Sequence, residues 1–313
     1  MDIIKYTNEK RGEWDAFVKE AKNSLFMFER NFCEYHSDRF TDHSLMFYEE
    51  DKLMALLPAN ISGDTLFSHG GLTYGGFLLK NDAKQHTVND CLSALKTHME
   101  ENGIKKLVYK CIPHVYHLQP AEEDEYALFA AGARLCAMGA STALDLKEPI
   151  KMPKGRKAQI SRAKREGVEI ERRTDKESFE AFIALENEVL GARHNVKAVH
   201  TADELYLLYS RFPENIALYA ALKDGRIIAG CVCFIYKETM HVQYMAADEE
   251  ARRIGALDLA VATVMETYAA DHKWLDFGIS TEDGGRYLNE GLISQKEGFG
   301  GRTNVYRIWE LTV

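Results

Sequence analysis

The 313-residue chain is predicted to fold as two tandem α/β units of the α+β kind, each a mixed, largely antiparallel sheet flanked by helices. Three observations carry that prediction. The length exceeds the usual size of one domain. The two halves run through the same order of elements, with the strand KKLVYK near 105 answered by HKWLDF near 272, about 167 residues later. Within each half the apolar spacing switches between a period of two and one of 3.6 residues, which separates strands from helices.

In the first half, DIIKY reads as a strand and GEWDAFVKEAKN as a helix, followed by the strands SLMFYEE, KLMALLPANI and TLFSHGG. Val88, Leu92, Leu95 and Met99 recur at helical spacing and define a helix over 83–102. KKLVYK, a short helix at 122–131 and the strand RLCAMGASTALDL close the half. In the second, GVEIER leads into the helices DKESFEAFIALENEVL and ADELYLLYSRF, the latter capped at Thr201. Three strands follow, NIALYAALK, RIIAGCVCFIY and TMHVQYMA, the first two joined by an Asp-Gly turn that signals a hairpin. A helix over 252–271, the strand KWLDFG, another helix and the strand TNVYRIWELTV complete the chain. The expected division is 1–150, a basic linker helix at 151–167, and 168–313 with the donor site.

Hydrophobic residues at 46% and charged residues at 28% are ordinary for a globular protein. The first residues have no basic-then-apolar leader, and no stretch approaches the ~18 apolar residues of a membrane helix, so a cytoplasmic location without an integral membrane segment is expected. The six cysteines show neither disulfide nor zinc spacing, and no metal is expected. A net charge of −9 argues against broad nucleic-acid binding, yet 151–173 packs nine Lys and Arg against three Glu. There Ile160 and Ala163 form a narrow apolar stripe, while Lys157, Arg162, Lys164 and Arg165 spread round the rest; the segment is either a solvated helix or an electropositive wall, including Arg156 and Arg162, for a phosphate-bearing substrate.

A strand running straight into a helix, as in MHVQYMAADEEARRIGALDLAV, places unpaired N–H groups where an anion can sit. Arg252, Arg253, Gly255 and Ala256 there partly match the pyrophosphate loop of GNAT acyltransferases, although its last small position falls on Leu257. Together with SHGGLTYGGF at 68–77, the basic segment and the terminal DFGIST…GLISQKEGFGG, nearly the whole chain resembles the Fem-like double-GNAT proteins. That family includes peptidyltransferases that build peptidoglycan cross-bridges from aminoacyl-tRNA. The resemblance implies that Met245, Ala246, Arg252, Arg253, Gly255 and Ala256 hold an acyl donor, that Lys296 belongs to the transfer site, and that Tyr74 and Gly75 border a substrate cleft. Many GNAT enzymes carry a tyrosine four residues before the Gly-Phe of the last helix; here that position is Ser294.

Strand alternation puts His241, Gln243 and Met245 on one face, where His241 and Gln243 either line the cleft or satisfy neighbouring backbone. Asp276, at the carboxyl end of its strand, orients the acceptor amine or takes its proton, or else fixes the following loop, and Ser280 beyond it is a candidate substrate contact. Arg193 and His194 are candidate acceptor contacts without metal-binding spacing. Asp-Phe-Gly also occurs in protein kinases, but the Gly-rich loop, strand lysine and His-Arg-Asp loop of a kinase are missing. Two functions follow as expectations: an N-acyltransferase moving an acyl group from acyl-CoA to an amine, such as an amino sugar of a surface polysaccharide or cell-wall precursor, or an aminoacyl-tRNA-dependent transferase of the Fem type that engages a tRNA acceptor stem. The first implies a small-molecule or nucleotide-linked acceptor.

Overall fold

In the computed structural model, which describes residues 1–194 and 197–313 and the side chains of 1–191 and 197–313, the chain forms two compact units. One comprises Met1–Ala140, Thr281–Leu288 and Asn304–Val313; the other comprises Ser141–Ser280 and Asn289–Thr303. This differs from the expected division. The boundary lies at 140 rather than 150, 151–167 is part of the second unit, and the final strand is divided between the two. The cause is strand pairing. Residues 141–145 pair antiparallel with Trp274–Ile279, and 308–312 pair antiparallel with Lys106–Lys110. Periodicity marks a strand but does not name its neighbour, so a division by sequence order misassigns both ends.

In the first unit, Asp2–Lys5, Leu45–Glu49, Lys52–Leu57 and Leu78–Leu79 form one sheet in that order. Strand 65–67 runs parallel to Lys106–Lys110 in a second ladder. The helix Gln85–Glu101 buries the predicted Val88, Leu92, Leu95 and Met99 against Phe47, Tyr109 and Leu311. Leu311 shows that the late strand contributes to this core.

In the second unit the strands follow the order Glu169–Arg173, Ile216–Lys223, Arg226–Ile235, Thr239–Ala247, Trp274–Ile279, then 141–145. All neighbours are antiparallel except Thr239–Ala247 with Trp274–Ile279. The Asp224-Gly225 turn takes positive φ at both residues, 51° and 75°, as a type I′ hairpin requires. Thr201 closes a reciprocal capping box with Glu204 at the start of Ala202–Arg211. The helix expected over 252–271 is instead two, Glu249–Ile254 and Ala256–Tyr268, interrupted at Gly255 with φ +84°.

Ala256–Tyr268 covers one sheet face with Leu259, Val261 and Val264, meeting Cys231, Cys233 and Val242. The basic helix Lys154–Arg165 lies on it through Ala163 and Ile160, the apolar stripe read from sequence. The opposite face receives Lys176–His194, whose Phe182 closes on Gly230.

Arg156 clamps the basic helix. Its guanidinium donates to the Asp258 carboxylate and, at 2.8 Å, to the Gln295 carbonyl, and it lies 4.2 Å from the Phe299 ring centroid. With Arg156 and Asp258 side chains 16% and 14% exposed, removing one partner strands a poorly hydrated charge. Arg156→Ala is therefore expected to lower unfolding free energy by about 3 kcal/mol in urea; a loss below about 0.5 kcal/mol would show that water replaces the clamp.

Candidate functional site

The parallel ladder between Thr239–Ala247 and Trp274–Ile279 lasts only three pairs, Thr239 with Trp274, Met240 with Leu275, and His241 with Asp276. On its other side, Thr239–Ala247 carries a bulge: Val232 pairs with Tyr244 and Cys233 with Val242, so Gln243 has no opposite residue. A bulge resets the alternation. Val242 and Met245 both face the core under Ala256–Tyr268, whereas His241 and Tyr244 turn to polar partners on the other face. The expectation that His241, Gln243 and Met245 share a face is corrected, and the extra residue is the reason.

Leu275 and Phe277 point into the same core, which turns Asp276 to the His241 face. Asp276 is fully buried. It accepts the Ser141 hydroxyl at 2.6 Å and lies 3.1 Å from His241 Nδ1. His241 and Ser141 are buried with it. A carboxylate out of water requires such partners, and Asp276 thereby fixes the imidazole in one orientation. Sequence reasoning misses Ser141, because it places that strand in the other half.

Beyond Asp276 the pairing with 141–145 is irregular and resumes at Ile279 with Ser141. Gly278 and Ile279 direct their carbonyls to Lys296, whose Nζ donates 2.8 Å bonds to each. Lys296 comes from the helix Glu290–Glu297, which begins at Asn289 with its side chain accepting the Leu292 N–H at 3.0 Å. Burial pushes the ammonium down to about 8, with the negative charge of Asp276 acting in the opposite sense. Ser280 Oγ and Gln243 Oε1 are buried without a hydrogen-bond partner among the described residues.

The remaining candidates fall elsewhere. Arg252 and Arg253 are exposed, and Arg252 donates to the Ala247 carbonyl at 2.8 Å. Gly255 and Ala256 are buried; the Gly255 N–H is bonded to the Ala251 carbonyl at 2.9 Å, and a Cβ at Gly255 would come within 2.7 Å of the Gln159 carbonyl oxygen. The basic helix thus packs directly on this turn. Met245 is half-buried and Ala246 buried. Arg156 is spent on the clamp described above, while Arg162 is half-buried on the helix whose Lys154, Lys157, Lys164 and Arg165 are exposed. Tyr74 and Gly75 belong to the core of the first unit: the Tyr74 ring packs on Tyr116 and Tyr306, and Gly75 lies where a Cβ would meet the Ser68 carbonyl at 1.8 Å. The side chains of Arg193 and His194 lie outside the described residues. Among the described residues no group of His, Cys, Asp and Glu is arranged to hold a metal ion, and no helix is long and apolar enough to cross a membrane.

Residues 154–287 match the family model for the acetyltransferase (GNAT) domain. Over its whole length the chain has the fold of Fem-like tandem GNAT proteins. It superposes on the crystal structure of FemX with a TM-score of 0.69 at 12% identity, covering 98% of this chain and 97% of that one. Against L-PGS from Bacillus licheniformis the TM-score is 0.65 at 17% identity, covering 97% and 92%. For a tandem GNAT protein of the clavulanic acid biosynthesis pathway the values are 0.53, 13%, 99% and 98%. No curated protein matches the sequence.

Lys296 makes stability depend on pH in a stated direction. Its folded pKa of about 8 lies below the ordinary lysine value of 10.5, so between those limits the folded chain has released a proton that the unfolded chain still holds, and stability rises with pH. Lys296→Met removes that contribution. The unfolding free energy of wild type relative to Lys296→Met should grow by about 3 kcal/mol between pH 7.5 and 10.5; a constant difference across that interval would mean that the lysine stays charged throughout.

Proposed function

We propose that the chain is an N-acyltransferase that moves an aminoacyl group from a charged tRNA to a primary amine. The observation that supports transfer is the parting of the two parallel strands just past His241 and Asp276, beside a buried Asp–His–Ser network. Strand edges that separate leave room and backbone donors for an acyl carbonyl, and amide transfer by direct attack needs no protein nucleophile.

The Gly255 turn favours an RNA-borne donor over CoA. A pyrophosphate held at a helix start uses unpaired N–H groups. Here the Arg252 and Gly255 N–H groups bond within the turn, Glu249 and Glu250 occupy the first helical turn, and Gln159 lies against Gly255. The exposed Lys154, Lys157, Lys164 and Arg165, with Arg252 and Arg253 on the neighbouring helix, supply a basic surface that suits a string of phosphates. The FemX resemblance supports the same donor class and a cell-envelope precursor, peptide or amino sugar, as the acceptor. The second reading, transfer from acyl-CoA, is favoured by the description of the matching family model.

Filter binding with bulk charged tRNA and calorimetry with acetyl-CoA distinguish these donors. Charged tRNA is expected to bind with an affinity that falls linearly on a log–log plot against salt, and Lys157→Glu with Lys164→Glu should reduce the slope by about one for each phosphate no longer neutralised. Acetyl-CoA should give no heat. Saturable heat with acetyl-CoA that Arg253→Glu abolishes, together with salt-indifferent RNA binding, would reverse the assignment.

A further inference from the structure

The helix Lys176–His194 carries Phe179, Phe182, Ile183 and Glu186 at i, i+3, i+4 and i+7, all buried. The first three pack as a core stripe should. The fourth is a carboxylate only 6% exposed, with no hydrogen bond or ion pair to any described residue. Its helix covers the sheet face to which the Gln243 bulge turns Tyr244. The Tyr244 hydroxyl is 2.6 Å from His200 Nδ1 and accepts the His200 backbone N–H at 3.2 Å. Burial, assisted by the nearby Glu186 charge, lifts that hydroxyl to about 12. The Glu186 charge is felt at the Tyr244 hydroxyl, so Glu186, Tyr244 and His200 form a polar group beside Thr239–Ala247, past its last pair with Trp274–Ile279. Two of them satisfy each other. Among the described residues no hydrogen bond or ion pair compensates the Glu186 carboxylate, and burial raises it to about 7. Among the described residues the titratable groups facing this corner are Tyr244 and His200, with Glu204 felt at Tyr244; His241 and Asp276 lie earlier along the same face.

We infer that Glu186, bounded by Tyr244, is the subsite that receives the acceptor amine and takes its proton. This rests on the transferase reading above and specifies its acceptor as a primary ammonium group. Glu186 takes one proton from the bound ammonium and frees the nitrogen lone pair. The nitrogen forms a bond to the acyl carbon, and the bond from that carbon to the carrier's oxygen or sulfur breaks. The second nitrogen proton leaves with that atom, and Glu186 returns its own proton to water. A carboxyl group whose affinity lies near the working pH suits this exchange.

The test separates the subsite from the donor. In protein labelled with [13C]glutamate, the Glu186 carboxyl resonance is identified by its disappearance in Glu186→Gln, and n-butylammonium is titrated against it. The expected result is a saturable shift of that resonance and a lowered titration midpoint, with tetramethylammonium, which has no N–H, far less effective. In transfer assays with n-butylamine, Glu186→Gln should lower kcat about 100-fold, leave charged-tRNA affinity unchanged, and lose the acidic limb of the wild-type kcat profile near pH 7. Thermal melting confirms that the variant is folded, and Tyr244→Phe serves as the second variant, with weaker butylammonium binding. A resonance indifferent to butylammonium overturns the subsite, as does wild-type kcat in a folded Glu186→Gln. A butylammonium response in a protein that transfers from neither charged tRNA nor acetyl-CoA supports the subsite and overturns the function proposed above.

Discussion

Two parallel strands that pair for three residues and then separate create a shortage of hydrogen-bond partners, and the second unit is arranged around that shortage. Backbone carbonyls that leave a ladder inside a protein must be satisfied by something else. Lys296 reaches from the following helix to take those of Gly278 and Ile279. The first unit meets a similar need in the same way: Lys110, pushed by burial down to about 8, donates to the carbonyls of His69, Gly70 and Leu72 in the glycine-rich segment. In both places a lysine ammonium, buried for Lys296 and half-buried for Lys110, substitutes for a missing neighbouring strand. The fold therefore holds the gap in the second unit open with charge.

One residue, Gln243, decides which chemistry that gap faces. Without the bulge, Tyr244 would point into the aliphatic core under Ala256–Tyr268, and Met245 would meet the polar side. With it, His241, Tyr244 and Asp276 all address the face covered by Lys176–His194. The two sheet faces consequently divide the labour, one being continuous hydrocarbon and the other a mixture of aromatic packing with buried ionisable groups.

Much of this was legible in the sequence. Helical spacing located Gln85–Glu101, the Asp-Gly pair located its hairpin, and Thr201 located a capped helix start, because each depends on interactions within a few residues. The terminal glycine-rich motif likewise pointed to Asp276 and Lys296, which the fold gathers at one strand end. What local pattern could not supply was pairing between distant segments. Ser141 could be recognised as the partner of Asp276 only once its strand was known to lie beside Trp274–Ile279, and the bulge at Gln243 leaves no compositional mark. The basic segment read correctly as an amphipathic helix, yet its contact with Gly255, which alters the meaning of the phosphate-loop resemblance, arises from packing between helices. Glu186 did carry a signal: an acid in the position where the stripe of Phe179, Phe182 and Ile183 calls for an apolar residue.

The interleaving of the units has a consequence for how the protein is made. The first 140 residues emerge from the ribosome with the edge of Lys106–Lys110 uncovered and without Leu311 in their core, and both deficits persist until 304–313 have been synthesised. Domains commonly mature one after another during translation. This chain instead has to keep its earlier unit unfinished through the synthesis of the later one, an interval of roughly 10 to 30 s at ordinary elongation rates of ~5–20 residues per second. The exposed edge and incomplete core in that interval are the features that attract chaperones, which makes the nascent chain, more than the finished protein, the form most vulnerable to aggregation.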